Sequence, residues 1–258
     1  MPEPTTKLNG APCWADLFST DTAASERFYG ELFGWTAQHG DEEKYGGYIT
    51  FFLDGKEVAG CMRNDGSTGM PDLWSVYLSA SDAADTVESA TGHGGSTIMG
   101  PMEVPDVGVM AMVADPGGAG VGVWQAKPFQ GFQVVGDPGT PNWVELHTKS
   151  YEEAVAFYRD VFGWDTHVMS DSPEMRYTTL GKDEAAVAGI FDASGEPAEH
   201  PVAWVVYWGS ADVDATVAKA QSLGGSVIQP AEDTPYGRMA TLTDSTGAMF
   251  RVITPPSR

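Results

Sequence analysis

The feature that most constrains this chain is a stretch written twice. Residues 12–35 read PCWADLFSTDTAASERFYGELFGW and residues 141–164 read PNWVELHTKSYEEAVAFYRDVFGW. Trp14, Leu17, Phe28, Tyr29, Phe33, Gly34 and Trp35 return, at a constant offset, as Trp143, Leu146, Phe157, Tyr158, Phe162, Gly163 and Trp164. A period this long marks two copies of one domain rather than a solenoid of short units. With 258 residues, the chain has room for two domains, each able to bury a core of its own.

Within the first copy, residues 1–10 read as a disordered lead-in without the charged-then-apolar pattern of a secretory signal. Residues 13–19 alternate as a strand, and Asp21 is placed to cap a helix running to Phe33 with Gly34 at its C-terminal end. Strand signals follow over residues 35–38, 45–53 and 56–62, the last two joined by the turn pair Asp54-Gly55. The same order then recurs. It runs from a strand over 73–79 through a helix ending before Gly92 to strands over 96–99, 107–114 and 121–125, with Asp115-Pro116-Gly117-Gly118 as a turn. The second copy repeats the plan and mirrors that turn with Asp244-Ser245-Thr246-Gly247. The expected class is α+β, with two tandem domains over residues 11–126 and 140–254, each of two βαβββ units, and a Gly/Pro-rich linker over 127–139.

Composition narrows the partners. The 36 acidic residues against 14 basic ones give a net charge of −22, which repels phosphate backbones and anionic lipid. No apolar run is long enough to cross a bilayer as a helix. Neither nucleic acid nor membrane is expected as a partner. Cys13 and Cys61 lie in the first copy only, so a shared disulfide framework is not expected and the cytoplasm is the expected location.

The strand, the capped helix ending FYxxxFGW and the DPxG turn before a last strand together resemble the vicinal oxygen chelate superfamily. This group includes glyoxalase I, bleomycin-resistance proteins and extradiol dioxygenases. The tandem layout and the PxWxDL opening are similar to two-domain actinobacterial members labelled hydroxylase-like or antigen-like. The resemblance implies that each pair of βαβββ units curls into a cup whose floor presents four side chains to a metal. Carried onto this sequence, those positions fall on Trp14, residues 58–60, Ser75 and Gly122 in the first copy. In the second they fall on Trp143, residues 187–189, Val205 and Arg251. None is a His or a Glu, and Mg, Zn, Fe or Ni sites need carboxylates or imidazoles converging on one point. No metal and no other cofactor is therefore expected.

Other side chains remain to carry chemistry. Trp143, Glu145 and His147 alternate along one strand face, with neighbours roughly 6.5–7 Å apart. Glu145 and His147 are thus candidates for an acid–base pair beside an aromatic wall, or else structural groups satisfied by their neighbours. The first copy offers Trp14, Asp16 and Phe18 on that face, which leaves Asp16 without a base partner. Trp74, Tyr77, Trp204 and Tyr207 are further candidate ligand-binding residues, with Tyr48, Phe52, Met62, Met175, Tyr177 and Phe191 as wall candidates. His39, His93, His167 and His200 carry no expected role, and neither a nucleophile elbow nor a phosphate loop occurs.

The sequence thus points to a metal-free binder of a small hydrophobic or aromatic molecule, such as a polyketide or drug, acting in sequestration or secondary metabolism. The alternatives are a metal-independent acid–base enzyme on such a guest, or a metal-dependent lyase or dioxygenase whose ligands fall elsewhere. A pseudo-symmetric monomer, or a weak homodimer, is the expected state.

Overall fold

The computed structural model describes residues 8–172, 174–198 and 200–254. The first half runs β1 (Pro12–Ser19), α1 (Thr22–Phe33), β2 (Thr36–His39), α2 (Glu42–Tyr45), β3 (Ile49–Leu53) and β4 (Lys56–Arg63). It continues through β5 (Leu73–Ser79), α3 (Ala83–Gly92), β6 (Ser96–Val104), β7 (Gly108–Ala114) and β8 (Gly120–Ala126). The second half repeats this as β9 (Pro141–Thr148), α4 (Tyr151–Phe162), β10 (Thr166–Asp171), β11 (Arg176–Leu180) and β12 (Ala188–Asp192). It ends with β13 (Ala203–Gly209), α5 (Val213–Ser222), β14 (Ser226–Thr234), β15 (Gly237–Thr243) and β16 (Met249–Thr254).

Each half forms one eight-stranded mixed sheet, in the order β2-β3-β4-β1-β5-β8-β7-β6 and its equivalent β10-β11-β12-β9-β13-β16-β15-β14. The two βαβββ units of a half meet where β1 runs antiparallel to β5, and β9 to β13. The tandem α+β architecture is therefore as the repeat implied. Local differences have local causes. Tyr45 closes the helical turn α2 instead of opening a strand, because Asp41 caps Lys44 N at 2.8 Å and Gly46 takes a left-handed φ of 61°. The strand expected to stop at Met99 continues to Val104 past Pro101, which is tolerated because β6 is an edge strand whose register shifts on either side of Met99.

The two halves do not keep separate cores. Buried side chains of both form one continuous cluster, with the helices between the sheets: α1 packs on α5 and α3 on α4. Phe28 meets Phe250 with ring centroids 6.1 Å apart, and Trp35 meets Trp208 at 4.9 Å. The repeated motifs interlock crosswise. Asp244 uses Oδ1 to cap its own turn at Ala248 N, and its Oδ2 accepts from the Tyr29 hydroxyl of the other half. Asp115 does the same for Ala119 N and the Tyr158 hydroxyl. Trp35 donates to Gly139 O at 2.7 Å and Trp164 to Gly10 O at 2.9 Å, so each FGW tryptophan pins the segment leading into the other half's first strand.

The lead-in falls largely on residues 1–7, outside the described residues, while Gly10 is tied down by Trp164 and by its own N–H to Ser79 O at 2.8 Å. Within residues 127–139, Phe129 and Phe132 pack on Trp14 at 4.8 and 5.4 Å. Cys13 and Cys61 are free, buried thiols.

With the helices filling the middle, the opposite face of each sheet is left to curl into an open cup. This leaves the inward positions of the central strands β1 and β5, and of β9 and β13, as the floors.

Candidate functional site

Strand alternation decides which floor residues look into a cup. In the N-terminal cup, of about 680 Å³, Trp14 and Asp16 from β1 and Tyr77 from β5 share the floor with Tyr48, Met62, Met110, Trp124 and Phe129 around them. Asp16, only 6% exposed, accepts from Trp14 Nε1 at 2.8 Å and from the Tyr48 hydroxyl. All its partners are neutral, so burial pushes its carboxyl up to about 6 despite the hydrogen bonds from Tyr48, Tyr77 and Trp14.

The C-terminal cup, of about 640 Å³, carries a longer network. Glu145, 8% exposed, has its Oε1 2.6 Å from His147 Nε2 and accepts there from the Tyr207 hydroxyl at 2.5 Å. Its Oε2 accepts from the Tyr177 hydroxyl at 2.6 Å, and the Tyr177 hydroxyl oxygen in turn accepts from Trp143 Nε1 at 2.9 Å. Arg251 donates to the Tyr207 hydroxyl and stands 3.7 Å from Glu145 Oε1. Burial alone would raise the Glu145 carboxyl, but the His147 contact, with the two tyrosines, outweighs it and holds the group at about 2. Glu145 is an anion and Asp16 is not fixed as one. The difference lies first in His147, which stands where β1 has Phe18; Arg251 stands where β8 has Gly122.

The network does not stop at His147. Its Nδ1 lies 2.6 Å from Nε2 of His200, the rings stack with centroids 4.9 Å apart, and Phe191 packs edge-on against His147 at 5.2 Å. His200 lines the cup from the loop between β12 and β13, with Glu196 Oε2 3.8 Å from its Nδ1.

The sequence model of the glyoxalase/bleomycin resistance protein/dioxygenase superfamily matches residues 13–123 and 140–252. The chain belongs to that superfamily. An anthracycline biosynthesis protein, DauV, of Streptomyces sp. strain C5 is 40% identical over 259 residues, covering 95% of this chain and 93% of the relative. Among solved structures, the 2,3-dioxygenase LapB of Pseudomonas sp. KL28 superposes with a TM-score of 0.65 at 12% identity, covering 96% of this chain and 93% of that one. An Mn(II)-bound glyoxalase of Novosphingobium aromaticivorans superposes with a TM-score of 0.65 at 15% identity, covering 95% and 82%. These last two likenesses are of fold.

Members of the superfamily can hold a metal on the cup floor, as the Mn(II)-bound glyoxalase does; the floors here are filled differently. At Gly60 an added Cβ would lie 1.8 Å from the Tyr48 hydroxyl, and at Gly189 it would lie 1.9 Å from the Tyr177 hydroxyl. A ligand side chain has no room at either position, because a tyrosine hydroxyl fills it. At Gly122 a Cβ would meet the Tyr77 ring at 2.1 Å, and the matching residue of the other cup is the cationic Arg251. The remaining donors, Glu145, His147 and His200, bond one another in a line instead of converging. Among the described residues no group of three or more His, Cys, Asp or Glu is arranged to hold a metal ion. The donor set does not fit the superfamily's metal centre.

The structure brings Trp14, Asp16 and Tyr77 together in one cup and Trp143, Glu145, His147 and Tyr207 in the other. Trp74 and Trp204 are not with them. They lie on the reverse sheet face and donate to the Tyr29 and Tyr158 hydroxyls, at 2.9 Å each, in the shared core. A residue three places from Tyr77 on a strand must point the other way, so pairing Trp74 with Tyr77 in one floor fails on alternation. Tyr48, Met62, Met175, Tyr177 and Phe191 line the cups, whereas Phe52 and Phe18 are absent from the linings. His200 was missed. Its loop position gave no periodic signal; only its place in a short Pro-flanked loop leading into β13 hinted at nearness to the floor.

Proposed function

We propose that this superfamily member holds a small, flat, largely apolar aromatic molecule in its cups, without a metal. The observation that carries this reading is the pair of open cups of about 640 and 680 Å³, walled by aromatic and methionine side chains with a few converging polar groups. The similarity to a protein named for anthracycline biosynthesis supports a fused-ring guest and a place in secondary metabolism. Buried free thiols favour a reducing, cytoplasmic location. The crosswise interlock supplies within one chain the pairing a dimer would otherwise provide, which favours a monomer. The test is titration of protein stripped of divalent ions with 1,8-dihydroxyanthraquinone, followed by tryptophan emission. Saturable quenching is expected; quenching that only rises linearly with ligand rejects the reading.

A second reading, acid–base catalysis on the guest, is favoured by the Glu145–His147 contact at 2.6 Å inside the C-terminal cup. Under it, Glu145→Gln keeps most of the affinity and loses turnover by about two orders of magnitude or more. Equal turnover in the variant would leave binding alone.

A further inference from the structure

The two cups surround their floor acids differently. Glu145 has basic groups of its own chain beside it, with His147 Nε2 at 2.6 Å and Arg251 Nη1 at 3.7 Å. The matching residues of the first half are Phe18 and Gly122. A Cβ at Gly122 would meet the Tyr77 ring at 2.1 Å, so a longer side chain has no room there. Asp16 thus keeps the buried carboxyl without the basic neighbours.

The groups packed around Asp16 are uncharged. Trp14 Nε1 and the Tyr48 hydroxyl both donate to its Oδ1, Tyr77 faces it from β5, and the buried thiols of Cys13 and Cys61 stand on β1 and β4. Among the described residues lining this cup, Lys44 is the one basic side chain, and its Nζ is taken by Asp106 Oδ2 at 2.7 Å. A buried carboxylate without a counter-charge is costly. An asparagine at the same place would accept both Oδ1 bonds without that cost.

We propose that the N-terminal cup takes an aromatic guest carrying a protonated amine, with the Asp16 carboxylate as its counter-ion. The proposal rests on the aromatic-guest reading above and adds the guest's ionic group and the cup that receives it. The walls suit such a group: Trp14, Tyr48, Tyr77, Trp124 and Phe129 line the cup with Asp16, and aromatic faces attract an organic cation. Glu57, Glu103 and Asp106 also line it, and with a net charge of −22 the protein draws cations in preference to anions. The C-terminal cup, whose acid already has His147 and Arg251 beside it, offers the same amine a weaker partner.

This pairing depends on pH. Burial holds the Asp16 carboxyl up at about 6, so the charge that receives the amine is lost as pH falls through that value. Of the other acids of this cup, partial burial also raises Glu57, whereas Lys44 lowers Asp106.

The test compares 2-naphthylmethylamine with 2-naphthylmethanol, which have nearly the same shape and differ in charge. Both are titrated by calorimetry at about 0.15 M salt, where diffuse attraction to an acidic surface is largely screened. At neutral pH the wild type is expected to show one tight site per chain for the amine, at least about tenfold tighter than for the alcohol. Asp16→Asn, which keeps the Oδ1 acceptor, is expected to lose that preference and still bind the alcohol. In the wild type the preference is expected to shrink as pH drops through about 6, with alcohol binding unmoved; this arm decides the matter if the variant does not fold. A preference that survives Asp16→Asn, that falls in Glu57→Gln instead, or that stays constant across the pH series overturns the proposal. No tight site for the amine, while 1,8-dihydroxyanthraquinone still binds, overturns it and leaves the aromatic-guest reading standing. No saturable binding of any of the three compounds removes both.

Discussion

The Tyr29 hydroxyl donates to Asp244 Oδ2 at 3.0 Å across the boundary between the two halves, and the Tyr158 hydroxyl donates to Asp115 Oδ2 at 3.2 Å in the mirrored position. Each tyrosine is the second residue of an FYxxxFGW motif, and each aspartate opens the hairpin turn of the opposite half. Two motifs that look like local signals are therefore the two sides of one contact. Because each hydroxyl also accepts from a tryptophan indole, at 2.9 Å in both copies, it bridges helix, turn and sheet.

Tyr29→Phe strands Trp74 Nε1 and one oxygen of Asp244 in the core. A loss of about 1–3 kcal/mol is expected, which is the ordinary consequence of leaving a buried donor unmade. Tyr158→Phe should match it, and chemical denaturation of the two variants checks both. A loss below about 0.5 kcal/mol in each would show that the interlock is incidental.

The shared core predicts that the halves unfold together. A fragment of residues 8–139 would expose Phe28, Tyr29 and Trp35, all buried in the intact chain. It should show no cooperative thermal transition on its own, and full-length protein should show one. A separate, reversible transition in the fragment would contradict this.

The two cup acids should shift stability in opposite directions as pH changes. Asp16 has its folded pKa raised from 3.8 to about 6. The folded state therefore binds the extra proton between those values, and stability falls as pH rises through that window. Glu145 has its folded pKa depressed from 4.5 to about 2. Its contribution is present above 4.5 and lost as pH falls toward 2. Each shift corresponds to about 3 kcal/mol as an order of magnitude. Asp16→Asn should therefore raise stability at pH 7 and abolish the decline across the upper window, whereas Glu145→Gln should lower it, with urea midpoints over a pH series as the measurement. Opposite signs in either variant would refute the assignment of charges.

Gly189→Ala tests the competition between a tyrosine and a ligand side chain. The new Cβ would sit 1.9 Å from the Tyr177 hydroxyl, so the ring must move and its bond to Glu145 is lost. A destabilisation of about 1–3 kcal/mol is expected. An unchanged melting temperature would mean the floor is looser than its packing implies.

Much of this was legible in the sequence. The helix ends were, because Asp21 and Gly34 are capping residues whose conformational preferences act locally. Trp143, Glu145 and His147 were placed on one face by simple alternation. Trp74 and Trp204 were misplaced because their size suggested a wall, whereas alternation relative to Tyr77 and Tyr207 sends them to the core. His200 was illegible for a different reason. Its partner lies 53 residues away and meets it only once β12 and β9 pair and the loop after them folds over the cup. The crosswise interlock was hidden in the same way, since sequence repeats show what is alike between halves and not what touches.

The superfamily's metal chemistry gives a further expectation. Dialysis against a strong chelator should leave the melting temperature and guest binding of this protein unchanged, since its cup donors are bonded to one another. A fall of several degrees, restored by one divalent ion, would contradict the account of the floor.

The most direct test of the central claim is calorimetric titration of 1,8-dihydroxyanthraquinone into wild-type protein and into Trp143→Ala, which removes one wall of the C-terminal cup and leaves the other cup intact. Saturable binding to the wild type, with the C-terminal site lost or weakened at least tenfold in the variant, is the predicted result. Identical isotherms for the two proteins, or no saturable binding to either, would contradict it.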